Sequence, residues 1–214
     1  MQLSIRDVWK GALARKSIGR ILSNAAIRTF CAGVTGRVLD VASGKAPGYL
    51  SVLPKTIQLV RTDVTSSEGV IALDMNARFP FEDAAFDAVF CFAALYIADD
   101  PLSLAREIRR VLKPGGSWFL GSPFIVNEMP EPHDYIRFTA EGLERLGKQA
   151  GFEYIEIHRL GDRGSSAINV LNPFLVLRSI RFLAFSCALL LDRMVPKRVR
   201  TQHPTPVAYF VKYS

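Results

Sequence analysis

Three apolar runs in the first half of the chain each lead to an aspartate: Arg37-Val38-Leu39-Asp40, residues 56–60 followed by Arg61-Thr62-Asp63, and residues 70–73 followed by Asp74. Runs this short and this apolar read as strands covered on both faces. With helix-patterned segments further along the chain, they predict an α/β fold around a mostly parallel sheet. Open sheets of this kind bind ligands beyond the C-terminal ends of their strands, so the three carboxylates are expected to face one crevice.

Asp40 narrows the kind of ligand. It precedes the small-residue turn Ala42-Ser43-Gly44-Lys45-Ala46-Pro47-Gly48, where a chain normally offers backbone N–H groups to a phosphate. A carboxylate at that point repels a pyrophosphate and attracts a cation. The common nucleoside that carries cationic groups and no phosphate is S-adenosylmethionine.

The remaining elements follow from periodicity and caps. Residues 86–92 form a fourth strand, apolar on both faces. Asp100 and Pro101 start a helix in which Leu104, Ile108, Val111 and Leu112 recur at helical spacing, and Lys113-Pro114-Gly115-Gly116 stops it and turns into a strand over 117–121. Thr139 caps a helix over 140–150, and residues 152–158 and 206–213 supply two more strands. Seven strands with helices between them describe a doubly wound sheet and one domain over residues 1–214. A helical cap occupies 1–35, the cofactor-binding core 36–160, an apolar helical insert 170–200 and the last strand 205–214.

The stretch from about Gly36 to Phe152 resembles the class I S-adenosylmethionine-dependent methyltransferases, in particular their small type 11 branch. The resemblance rests on VLDVASGKAPG, on Asp63, on LDMNARFPFEDAAFDAVF and on LAREIRRVLKPGGSWFLGSPF, in that order. It implies a Rossmann-like methyltransferase fold whose last strand is antiparallel, with S-adenosyl-L-methionine as cofactor. It further implies that Asp40 meets the methionine end of the cofactor and that Ala42, Ser43 and Gly44 form the loop beside it. Asp63 then takes the ribose hydroxyls, the alternative being an ion pair with Arg61. Asp74, Met75 and Asn76 take the adenine. Ala42 and Ala46 stand where glycines are usual in the family, and Leu95-Tyr96-Ile97 replaces a common Leu-Glu-His triplet, leaving Tyr96 to line the pocket mouth. No metal site is expected.

His133-Asp134-Tyr135-Ile136-Arg137-Phe138-Thr139 resembles a stretch in family members linked to surface polysaccharides and glycolipids, and lies over the cofactor site there. His133, Asp134, Tyr135 and Arg137 are thus expected in the acceptor pocket. His133 is a candidate base for an acceptor hydroxyl, and the competing reading has His133, Asp134 and Arg137 pinning the loop. Methyl transfer from a sulfonium is an in-line displacement that alignment alone accelerates strongly.

Residues 172–195 read as one long helix beginning at Asn172 and Pro173. Ile180, Leu183, Cys187, Leu190, Leu191 and Met194 share one face, Arg178, Arg181 and Asp192 gather on the other, and Phe182, Phe185 and Leu189 widen the apolar side. Both ends must return to the sheet, so spanning a membrane is rejected. An in-plane membrane helix, a homodimer interface and a buried core helix remain open. The net charge of +7 favours an anionic membrane surface or nucleic acid. The N-terminal stretch reads as an amphipathic helix without a signal peptide's apolar core, and Cys31, Cys91 and Cys187 lie far apart, so a reducing, cytoplasmic location is expected. The leading expectation is methyl transfer to a small-molecule, glycan or lipid-linked acceptor at the cytoplasmic membrane face. A nucleic-acid methyltransferase, supported by charge alone, and a catalytically inactive binding module are the alternatives.

Overall fold

Asp40 and Asp63 come to neighbouring strand tips because β1 (Gly36–Asp40) pairs in parallel with β2 (Ile57–Asp63), and β2 pairs with β3 (Val70–Ala72), two residues short of Asp74. The computed structural model describes residues 3–130, 132–202 and 204–214. β4 (Phe86–Phe92), β5 (Leu112–Pro123), β6 (Ile155–Leu160) and β7 (Ala208–Tyr213) complete a seven-stranded sheet of order β3-β2-β1-β4-β5-β7-β6. β7 runs antiparallel to both its neighbours, and β1 to β5 pair in parallel.

Period-two alternation divides the central strands between two cores. Val89 and Cys91 of β4 face one side, with Ile108 and Val111 of α3 (Pro101–Val111) and Leu143 of α4 (Ala140–Gln149). Ala88, Phe90 and Phe92 face the other, against Ile18, Leu22 and Ala26 of α2 (Ile18–Phe30). The predicted caps hold: Asp100 accepts from the backbone N–H of Leu102 and Ser103, and the Thr139 hydroxyl accepts from Gly142. Lys113 to Gly116 bulges out of β5 between Leu112, opposite Phe86, and Ser117, opposite Ala88, with Gly115 at φ 77°.

Strands and helices do not alternate throughout. Residues 41–56 contain only a 3-10 turn at Leu50–Val52, and β2, β3 and β4 are joined without helices. The sheet face that a β1–β2 helix would cover is covered by α2, which packs from the N-terminal side against Tyr49, Val52 and Leu53.

The expected long helix is also broken. After β6 come α5 (Arg163–Val170), a 3-10 turn (Asn172–Phe174), α6 (Arg178–Met194) and α7 (Lys197–Gln202), so helix begins six residues later than the Asn172-Pro173 signal suggests. Arg181 accounts for the break: its Nε and Nη2 donate to the Leu175 carbonyl at 3.0 and 2.8 Å, holding the preceding segment as a turn. Before α2, α1 (Ile5–Leu13) packs on α6, with Trp9 edge-on to Phe182 at 4.9 Å between centroids.

Candidate active site

A cavity of about 470 Å3 opens at the C-terminal edge of the sheet between the β1–β2 loop, α2, Phe92 and Ala93 at the end of β4, and the segment after β5. That volume suits a small-molecule ligand. Apolar walls come from Phe92, Val126, Met129, Val207 and Phe210, while the charged side chains lining it are Arg20 and Lys45.

Asp40 lies behind this cavity with no exposed surface. The Tyr49 hydroxyl, which does line the cavity, donates to its carboxylate from 2.8 Å (Oδ2) and 3.0 Å (Oδ1). Burial pushes the Asp40 carboxyl up to about 7, against the Tyr49 hydrogen bond and the charge of Arg61, which pull it down. Burial beside Asp40 also raises the Tyr49 phenol, so it remains a donor. The Thr62 hydroxyl donates to the Asp40 carbonyl at 2.9 Å, fixing the strand end.

The loop is braced from β2. Asp63 Oδ2 accepts from the Gly44 N–H at 2.7 Å, and Arg61 Nη2 donates to the carbonyls of Gly44 at 2.6 Å and Lys45 at 2.8 Å. Arg61 thus binds loop carbonyls, where the sequence had allowed an ion pair with Asp63. From α2, Asn24 Nδ2 donates to the Gly48 carbonyl at 3.3 Å. Gly44 holds φ 73°, and a Cβ there would meet no atom within 4 Å, so its face is open to a ligand. Ala42 and Ala93 adopt φ 55° and 56°, a left-handed conformation that costs an L-residue about 1 kcal/mol and collects at ligand sites.

Among the sequence-predicted residues, Ser43, Gly44 and Tyr96 line the cavity, and Asp40 reaches it through Tyr49. Ala42, Asp63, Asp74, Met75 and Asn76 do not line it, although Asp63 touches it through the Gly44 N–H. Asp74 Oδ1 accepts from the Asn76 N–H at 2.9 Å in a turn, Asn76 Oδ1 accepts from the Asp99 N–H at 3.0 Å, and Met75 and Asn76 line a separate cleft with Arg78 and Glu107. The segment 73–76 stays on the same edge of the sheet, since the Leu73 N–H donates to the Asp63 carbonyl at 2.7 Å.

The His133 patch lies beside this cavity, not on its lining. His133 is exposed and stacked on Tyr135, itself 57% exposed, at 5.0 Å between ring centroids, and neither lines the cavity. Asp134 pairs with Arg137 and accepts from the Met129 N–H at 2.9 Å, while the Arg137 guanidinium lies 5.2 Å over the Tyr96 ring. The Tyr135 N–H donates to the Tyr96 carbonyl at 3.0 Å. Asp134 and Arg137 thus hold each other and the loop, and Val126 and Met129 are the residues of the segment after β5 that line the cavity. Half-burial and the Asp134 charge raise the Tyr96 phenol, keeping it neutral. Tyr49, Arg20, Asn24 and Met129 were not anticipated, because they reach the site through loop and helix placement, and the role of Arg61 as a brace from β2 depends on the path of the loop it binds.

Groups of His, Cys, Asp and Glu able to hold a metal ion are absent among the described residues. The donor set instead fits a cationic adenosyl ligand: a buried carboxylate, a bare glycine face and a second carboxylate on the adjoining strand.

Residues 33–120 match the family model described as a methyltransferase domain. The chain is 30% identical over 139 residues to cycloartenol-C-24-methyltransferase of Arabidopsis thaliana, covering 58% of this chain and 38% of that protein. It is 25% identical over 151 residues to a ubiquinone biosynthesis O-methyltransferase of Ralstonia nicotianae, covering 60% of this chain and 63% of that protein. It thus spans less than two thirds of either relative. Its fold is similar to that of phosphoethanolamine N-methyltransferase 2 of Haemonchus contortus in complex with S-adenosylhomocysteine. The TM-score is 0.59 and the identity 18%, over 89% of this chain and 52% of that chain.

Proposed function

We propose that this chain, whose residues 33–120 match a methyltransferase domain, transfers a methyl group from S-adenosylmethionine to a small, apolar or lipid-linked acceptor, glycan-bearing lipids included, at the cytoplasmic face of a membrane. The observation that carries the reading is the buried Asp40 carboxylate at the tip of β1, reached from the cavity through Tyr49. A buried carboxylate is costly to ionise, and a cation brought to it offsets that cost.

When bound, S-adenosylmethionine supplies an activated methyl on a sulfonium. Asp40 would receive its ammonium group, and the bare face of Gly44 would let the loop backbone lie against it. Asp63 keeps one oxygen on Gly44 and offers the other to the ribose diol. On this reading the adenine runs past Asp63 along the sheet edge toward Asp74, Met75 and Asn76, which lie outside the cavity itself.

Two features support the acceptor class. The walls formed by Phe92, Val126, Met129 and Phe210 suit an apolar body, and Arg20 with Lys45 suits negative charge on the cofactor carboxylate or the acceptor. Two relatives are named for cycloartenol and for ubiquinone biosynthesis. The chain's contribution to rate is alignment in a water-poor, apolar pocket, with neutral Tyr96 available as a hydrogen-bond donor at its mouth.

Calorimetry of the full chain with S-adenosylmethionine tests the first step. Saturable one-to-one binding, weakened at least about tenfold by Asp63→Ala, is expected from the loss of a charge-assisted bond and its loop brace. Absence of heat together with no change on Asp63→Ala removes the reading.

A further inference from the structure

Helix α6 packs Phe185 and Ala188 against the core yet keeps a second apolar row outside. Arg181 and Asp192 are turned inward, 7% and 8% exposed, while Leu183, Leu190, Leu191 and Met194 are 56–70% exposed. Two anchors hold this orientation. Arg181 binds the Leu175 carbonyl, and the Asp192 carboxylate accepts from the N–H groups of Gly164 at 2.7 Å and Asp162 at 3.0 Å and from the Ser165 hydroxyl, capping the start of α5. Turning the helix over would leave both charges without these partners, so the apolar row is committed to the outside.

The outward row continues onto α1. Trp9 and Leu13 form an apolar groove of about 510 Å3 with Val176 and Leu177, and Arg15 and Arg178 also line it. The charge around this face has one sign. From residue 163 to 202 the chain has seven basic residues and one acid, the inward Asp192; Arg181 is buried and Arg163 and Arg200 pair with Asp162, which leaves Arg178, Arg193, Lys197 and Arg198 for the fringe. Among the described residues no carboxylate pairs with Arg15, Arg178, Lys197 or Arg198.

This combination selects the occupant. A second copy docked across a two-fold axis would bring the same basic fringe against itself, whereas an anionic bilayer offers hydrocarbon to the row and phosphates to the fringe. Spanning is not available, because no helix among the described residues is long and apolar enough to cross a membrane. We propose that the α1–α6 face is a docking surface for anionic phospholipid, with Leu183, Leu190 and Leu191 entering the acyl boundary and Arg15 and Arg178 binding lipid phosphate beside Trp9. The proposal supplies the partner for the membrane setting given above and stands on this surface, not on the cofactor site.

Sedimentation with sucrose-loaded vesicles tests it on the full chain. Binding is expected to equimolar phosphatidylcholine and phosphatidylglycerol, with little to phosphatidylcholine alone. Leu183→Glu/Leu190→Glu and Arg15→Glu/Arg178→Glu should each lower partitioning at least about tenfold. Both variants should keep wild-type circular dichroism and S-adenosylmethionine affinity, which separates loss of docking from loss of fold or of the cofactor reading. A wild-type chain that ignores anionic vesicles overturns the proposal. So does a dimer that Leu183→Glu/Leu190→Glu dissolves, which would make this face an interface between copies.

Discussion

The Tyr49 hydroxyl stands 2.8 Å from Oδ2 of Asp40, so a fully buried carboxyl at the tip of β1 communicates with the cavity through a phenol nine residues further along the same loop. Burial, against the pull of that hydrogen bond, makes Asp40 a proton-linked site. Its carboxyl is raised from 3.8 to about 7, so near neutrality the empty site holds a proton for part of the time.

Cofactor binding should therefore depend on pH. An ammonium group pairs with the ionised carboxylate, so below about pH 7 binding must expel a proton. S-adenosylmethionine affinity should fall by up to about tenfold per pH unit on the acid side and level off above it. Calorimetry between pH 5.5 and 8.5, in buffers of different ionisation enthalpy, measures both the affinity and the released proton. Asp40→Asn should bind weakly at every pH without this dependence.

The same shift has a stability consequence of opposite sense. A carboxyl raised in the folded state favours folding fully below its unfolded value of 3.8, and that contribution is lost as pH rises through about 7. The cofactor-free chain should gain up to about 4 kcal/mol from this group between pH 8 and pH 4. Asp40→Asn should show a flatter urea-midpoint profile over that range.

Tyr49→Phe removes the hydroxyl that holds the Asp40 carboxylate down. The midpoint of the pH dependence should move above that of the wild type. The unsatisfied carboxylate should also cost about 1–3 kcal/mol at pH 8 by chemical denaturation.

Ala42 carries left-handed strain at φ 55° in a loop where Gly44 holds the same region freely. Ala42→Gly should stabilise the chain by about 1 kcal/mol, raising the thermal midpoint by about 2–4 °C. S-adenosylmethionine affinity should stay within about threefold, because the backbone path is unchanged.

His133 lies outside the cavity, stacked on Tyr135. Once an acceptor is in hand, His133→Ala should keep kcat within about threefold, whereas Met129→Glu, which puts charge into an apolar wall, should raise the acceptor KM at least about tenfold. A loss of kcat on His133→Ala of the 100-fold or more typical of a lost general base would restore a proton-transfer role.

Much of the architecture could be read locally. Asp100-Pro101, Thr139 and the alternation in β4 act over a few residues, and each produced the element it predicted. The missing β1–β2 helix could not be read this way, because the cover for that face comes from α2, which lies earlier in the chain. The site divided similarly. Asp40, Ser43 and Gly44 were legible as a strand tip and its turn, whereas Tyr49, Arg61 and Asn24 entered through the particular path of the loop.

The sequence by itself determined a parallel sheet with carboxylates at its first three strand ends, because strand burial and strand-end chemistry depend on residue type and short-range period. It also determined that α6 has one apolar face. Which way that face points was decided only by tertiary structure, since helical period carries no reference direction. Arg181 found the Leu175 carbonyl and Asp192 found the amide groups at the start of α5, and satisfying two buried charges turned the leucines outward.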